Sequence, residues 1–153
     1  MAAIATLAPL KLEDHRGIVD FCFRNSIELV VIGPEAPLVD GLADNLRAVG
    51  IAVFGPDKKA ARLEGSKAFT KKLCERVGIP TAKFRHARAL GSALRALKAF
   101  DLPVVIKADG LAAGKGVTIA ETEEEATAAI EDIFSGRFGK KGAAVVIEEL
   151  LAI

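Results

Sequence analysis

The apolar residues of this chain fall into two kinds of run. Short unbroken stretches, "LVVI" at 29–32 and "IAVF" at 51–54, read as buried strands, because a strand covered on both faces has no polar face to alternate with. Longer stretches place apolar residues at helical spacing. From residue 14, "DHRGIVDFCFRNSI" carries Ile18, Phe21, Cys22 and Phe23 on roughly one side of a helix. "LVDGLADNLRAVG" sets Leu38, Leu42 and Leu46 four residues apart on one helical face, with Gly50 as the stop. Helix, buried strand, loop, helix, buried strand is the order of a parallel βαβ layer. The loops "GPEAP" and "GPDKK" that follow the two strands are then expected at the sheet edge where open α/β sheets bind ligands.

The order of elements changes near Glu64. After "EGSK" the pattern predicts a helix to about Val77, closed by Gly78 and Pro80, then a short strand "TAKFR" and a helix through "GSALRALKAF". The strands "PVVIK" and "VTIA" flank a Gly-rich stretch, which predicts an antiparallel hairpin. Thr122 and Glu125 have capping-box spacing at the head of a further helix, and "AAVVIEEL" reads as the last strand. The expected division is an α/β unit over 1–63 and an α+β unit with an antiparallel sheet over 64–153. No internal repeat or low-complexity segment interrupts either.

Composition removes several classes of function. With 51% hydrophobic residues the chain can bury a real core, which argues against disorder. Its 21 basic and 20 acidic residues are interspersed, giving no support to a nucleic-acid groove or a charged membrane surface. Neither Trp nor Tyr is present, so base stacking would rest on Phe or His alone. No run approaches the ~18 apolar residues of a membrane span, and the N-terminus lacks the basic and long apolar regions of a secretion signal, so the chain reads as soluble. Cys22 and Cys74 lie beside Phe or Leu and read as small buried hydrophobes, in keeping with a reducing, cytoplasmic setting.

Three stretches could carry chemistry. In "IKADGLAAGKGV", Lys107 closes a strand, while Gly110, Gly114 and Gly116 would let the backbone take positive φ and come close to a ligand. Successive N–H groups there could form an anion nest, with Lys107 and Lys115 adding charge. The stretch lacks the Ser or Thr of a Walker A loop and leads into a strand, so phosphate cradle and plain hairpin turn both stay open. In "LEGSKAFTKKL", Ser66 reads as a helix N-cap, and Lys67 in the first turn opposes the helix dipole, which hints at a bound anion. Glu148 and Glu149 end an apolar strand and read as solvated there. His15 and His86 have no partner at metal-ligand or triad spacing and read as surface or packing residues.

Taken together, "GPEAPLVDGLADNLRAVGIAVFGP", "EGSKAFTK", "GIPTA", "VVIKADGLAAGKGV" and "VIEELL" resemble, in order and spacing over about residues 18–151, the phosphoribosylamine–glycine ligase family, also called glycinamide ribonucleotide synthetase. That family belongs to the ATP-grasp superfamily. The resemblance implies a Rossmann-like pre-ATP-grasp domain followed by the small ATP-grasp lid. It also implies ATP-dependent joining of glycine to 5-phosphoribosylamine through a glycyl phosphate, in purine synthesis, with Mg2+ or Mn2+. These are small-molecule partners, with neither nucleic acid nor membrane among them. By resemblance, Lys67 and Lys107 face the ATP phosphates, and Gly114, Lys115 and Gly116 belong to a loop that closes over them. Glu148, Glu149, Leu150 and Leu151 match the segment whose backbone reads the adenine edge, which removes the glutamates from acid–base roles and leaves no catalytic residue assigned. Gly33, Pro34 and Glu35, in "GPEAP", match a substrate-side loop.

The family's first strand with its "GGREHAL"-like loop, and its later "GEE" and "RFGDPE"-like motifs with the metal carboxylates, do not occur in this sequence. The expectation is therefore a fragment without a metal site that does not ligate by itself. Another ATP-grasp carboxylate–amine ligase and a non-catalytic ATP-binding module are the alternatives.

Overall fold

The structure is a computed structural model that describes residues 4–112, 115–137 and 144–151. The chain folds as two compact units, 1–62 and 63–153. Both are mixed α and β, the first with a parallel sheet and the second with an antiparallel one.

In the first unit α1 (His15–Arg24) begins at Asp14, whose carboxylate accepts from Gly17 N at 2.9 Å. Strands β1 (Leu29–Val31) and β2 (Ala52–Phe54) pair in parallel, with Leu29 opposite Ala52 and Val31 opposite Phe54. The predicted single helix over 38–50 is two helices, α2 (Glu35–Asp40) and α3 (Leu42–Ala48), separated by Gly41 at φ 100. That left-handed conformation ends an α-helix and is open to glycine at little cost. Leu38, Leu42 and Leu46 are nevertheless all buried, so their spacing marked the inward face and concealed the break.

The two strands are not covered on both faces. Val30, Ile32, Ile51 and Val53 pack with Ile18, Cys22 and the three leucines, whereas Leu29, Val31 and Phe54 point away and are exposed, Phe54 by 72%. Apart from Pro37, the buried residues of the unit's helices all join that one cluster. Of the α1 residues, Ile18 and Cys22 are buried while Phe23 is exposed. His15 is mostly enclosed, its Nδ1 2.7 Å from Asn45 Nδ2 and its Nε2 3.1 Å from Asp40 Oδ2, which fits the packing reading. "GPDKK" is only partly loop. Lys58 opens α4 (Lys58–Gly65), a helix the pattern missed because Ala61 is its one buried residue.

The second unit is built on four strands, β3 (Phe84–Ala87), β4 (Val104–Ala108), β5 (Val117–Ala120) and β6 (Val145–Glu149), in the order β3-β6-β4-β5 and all antiparallel. The predicted hairpin is β4–β5, and β3 lies slightly C-terminal to "TAKFR". Helices α6 (Leu90–Leu97) and α7 (Glu123–Ser135) cover one face, where Val104, Ile106, Ala108, Val145 and Ile147 form the main core with Ala93, Leu97, Ile130 and Ile133. Thr122 caps α7 as predicted, accepting from Glu125 N at 3.2 Å. Strand alternation sends Val105, Lys107, Val146 and Glu148 to the other face, where α5 (Lys67–Val77) packs Ala68 on Phe84 and Val146. Among the described residues no helix is long and apolar enough to cross a membrane.

Candidate functional site

The face shared by β4, β6 and α5 gathers the charged groups. Lys107 and Glu148 come from strands that are distant in sequence, and the β4–β6 register sets them one alternate position apart on the same side. Glu148 is buried, its side chain only 5% exposed, so the solvated strand-exit reading is overturned. A carboxylate desolvated this far requires a cation, and two are present. Lys107 Nζ donates to Oε2 at 2.8 Å and Lys71 Nζ lies 2.9 Å from the same oxygen, while Oε1 is buried with no hydrogen-bond partner. Lys67, Lys71, Lys107, Cys74, Glu64 and Glu148 line a cavity of about 290 Å³ in which three lysines face two carboxylates.

The start of α5 has an internal explanation. Ser66 caps the helix as predicted, accepting from Phe69 N at 3.1 Å, and Asp109, just past the end of β4, also bonds the helix start. One oxygen of Asp109 accepts from Ala68 N at 3.2 Å, from Ser66 Oγ at 3.2 Å and from its neighbour Gly110 N at 3.1 Å. The anion that the helix dipole favours is thus the chain's own carboxylate. Lys67 escapes the dipole by reaching across to Gly110 O at 2.8 Å. The position of Lys67 by itself calls for no external anion.

The Gly-rich stretch is tied down at both ends of its described part. Gly110 has φ 99, as predicted. Gly116 does not take a positive φ; it is buried, and a Cβ there would lie 2.7 Å from Ala112 Cβ and 3.0 Å from Ala108 Cβ, so its glycine serves internal packing. Ala108 N donates to Gly116 O at 2.7 Å, and Lys115 is exposed beside it. Gly114 lies outside the described residues.

His86 faces the same side, its Nε2 3.7 Å from Asp109 Oδ2, too far for a hydrogen bond. Burial pushes its imidazole below the ordinary value of 6.5, with Asp109 opposing and Lys72 and Arg88 assisting. Burial likewise raises the Cys22 thiol, which packs as expected, and Cys74 is half-buried.

Not every expected site residue converges here. Glu149 and Leu150 line a different cavity of about 430 Å³ with Glu75, Lys83, Arg85 and Asp101, where carboxylates outnumber cations. That cavity is larger, but its acidic excess gives it no claim on a polyanion. Glu149 accepts from Lys83 N at 2.8 Å, and Leu151 is exposed. Gly33, Pro34 and Glu35 lie exposed in the first unit at the C-terminal end of β1. Sequence reading passed over Lys71 and Asp109. Lys71 was visible in principle, four residues after Lys67 and so on the same helix face. Among the described residues no cluster of three His, Cys, Asp or Glu side chains could hold a metal ion, so the Mg2+ or Mn2+ implied by the resemblance finds no ligand set in them.

A model described as phosphoribosylglycinamide synthetase, ATP-grasp (A) domain, matches residues 65–152, and the N domain of the same synthetase matches residues 1–64. The chain belongs to the phosphoribosylglycinamide synthetase family. The resemblance read from the motifs is borne out. The phosphoribosylamine–glycine ligase of Agrobacterium fabrum is 58% identical over 147 residues, covering 96% of this chain and 35% of the relative. The chain spans about a third of the length of the synthetase relatives it matches. The solved ligase of Thermotoga maritima aligns with a TM-score of 0.61 at 44% identity, over 65% of this chain and 26% of that one. A biotin carboxylase domain from Hydrogenobacter thermophilus, solved with MgADP, ADP and bicarbonate, aligns with a TM-score of 0.77 over 95% of this chain and 34% of that one. At 24% identity it shows the ATP-grasp fold alone.

Proposed function

We propose that this chain supplies the N domain and the nucleotide-binding lid of a phosphoribosylamine–glycine ligase, which joins glycine to 5-phosphoribosylamine at the expense of ATP. The observation that carries the reading is a buried carboxylate held by two lysines, with a third lysine lining the same cavity, in a chain of this family. The fit to a triphosphate rests on charge: Lys67, Lys71 and Lys107 outnumber the carboxylates Glu64 and Glu148 that line the same cavity, and ammonium-to-phosphoryl hydrogen bonds are among the stronger ones.

In this reading Lys107 and Lys67 hold phosphoryl oxygens and neutralise charge that shifts among them as phosphate passes to the glycine carboxylate. Gly114, Lys115 and Gly116 belong to a cover that keeps water from the activated carboxyl group. The backbone of Glu148, Glu149, Leu150 and Leu151 meets the adenine edge, and Gly33, Pro34 and Glu35 face the substrates. A divalent metal, when bound, supplies further phosphate neutralisation from ligands outside those described here.

The test is a chimera carrying this chain in place of the matching segment of the Agrobacterium fabrum ligase. ADP formation dependent on both glycine and 5-phosphoribosylamine is expected, with Lys107→Ala lowering it by about 100-fold or more. A folded chimera that binds ATP yet turns over neither substrate would sink the assignment.

A further inference from the structure

We propose that Lys71 is the permanent partner of the Glu148 carboxylate and Lys107 the exchangeable one, so that Lys71 acts as a positioning residue that frees Lys107 for a phosphoryl oxygen. The inference rests on the nucleotide reading above and concerns how the site is prepared for its anion.

Both ammonium groups meet the same oxygen, Glu148 Oε2, and the other oxygen has no partner. The two lysines are held very differently. Lys71 is 14% exposed, its Nζ also donates to Ala82 O at 3.3 Å, and it stands 5.8 Å from the centre of the Phe84 ring. Three features of the fold therefore fix it. Lys107 is 27% exposed and, among the described residues, makes its one ammonium hydrogen bond to Glu148. Lys67 donates to Gly110 O at 2.8 Å and, among the described residues, makes no hydrogen bond or ion pair with Glu148.

A buried carboxylate stripped of its cation is strongly destabilised. If Lys107 alone neutralised Glu148, drawing it toward a phosphate would strand that charge, and the cost would come out of nucleotide affinity. With Lys71 in place the carboxylate keeps an ammonium throughout. The close approach of two like charges at one oxygen also favours the departure of the less restrained lysine.

The test uses the 153-residue chain, titrated with ATP and followed by amide chemical shifts, which read even millimolar binding. Lys71→Met is expected to weaken binding about tenfold, the worth of one charge-assisted hydrogen bond. Lys71→Arg, which keeps the charge, should stay within about threefold of the original chain. The decisive arm is the double variant Lys71→Met with Glu148→Gln. A neutral amide no longer detains Lys107, so affinity should return to that of Glu148→Gln alone. Unchanged affinity in folded Lys71→Met, or a further tenfold loss in the double variant relative to Glu148→Gln, overturns the proposal and leaves the nucleotide reading standing. Should Lys71→Met alone fail to fold, the double variant, which carries no stranded charge, still decides. If the unaltered chain shows no ATP binding that Lys107→Ala abolishes, the nucleotide reading falls and this inference with it.

Discussion

The two sheets of this molecule start from the same kind of sequence and end in opposite states. "LVVI" and "IAVF" in the first unit, and "VVI" twice in the second, are equally apolar runs. In the four-stranded sheet the central strands β4 and β6 are buried on the helix-covered face, and the other face carries Lys107 and Glu148 beneath α5. In the two-stranded sheet one face is packed and the other presents Leu29, Val31 and Phe54 to solvent. The difference teaches that an apolar run reports the wish to be covered, while the number of neighbouring strands and helices decides how far it is met. It also separates two kinds of incomplete surface. One is charged, with its charges paired in the interior; the other is bare hydrocarbon.

The largest effect should come from removing a side chain at the centre of the main core of the four-stranded sheet. Ile147 is fully buried on β6, next to Glu148. Ile147→Ala is expected to destabilise that unit by about 2–5 kcal/mol. Hydrogen exchange should show the loss in β4 and β6 amides, with protection in β1 and β2 unchanged. If all the strands lose protection together, the two units unfold as one and the comparison between them loses its basis.

How much of this was legible in the sequence follows from range. Local signals served well: Ser66 and Thr122 cap as read, the β4–β5 hairpin forms, and the leucine spacing found the inward face of α2 and α3. What failed depended on partners distant in the chain. Lys107 and Glu148 meet only because β6 inserts between β3 and β4, and no spacing reveals a strand order of that kind. Glu148 therefore looked like a solvated strand end, and Asp109 looked like part of a loop when it closes the start of a helix. Gly116 misled in the other direction, since its missing Cβ makes room for Ala112 and Ala108. The motif sequence carried the family where geometry could not be read.

A second effect distinguishes the charged face by pH. His86 is enclosed beside Asp109, with Lys72 and Arg88 acting against its protonation, and its folded-state value lies below 6.5. The unfolded chain then binds a proton that the folded chain refuses, so stability rises with pH through this window. It is complete above about 6.5 and falls as pH drops from there toward the lowered folded value. Urea midpoints measured across that range should decline toward acid in the original chain and decline less in His86→Gln. Parallel curves for the two proteins would remove His86 from the account.

The smallest effect on stability belongs to the open face of the two-stranded sheet, and there the informative quantity is association. Val31 and Phe54 lie opposite one another in the parallel register, both on the exposed side. Replacing both with Thr keeps β propensity and removes contiguous hydrocarbon from the surface. Because neither side chain is packed in the folded unit, the expected change in unfolding free energy is within about 0.5 kcal/mol. Light scattering should nonetheless show less concentration-dependent association than in the original chain, since a bare apolar face is the surface most prone to self-contact. A loss of about 2 kcal/mol or more would mean that this face is packed in the folded protein. The contrast between a charged face beneath a helix and an open apolar one would then have to be given up.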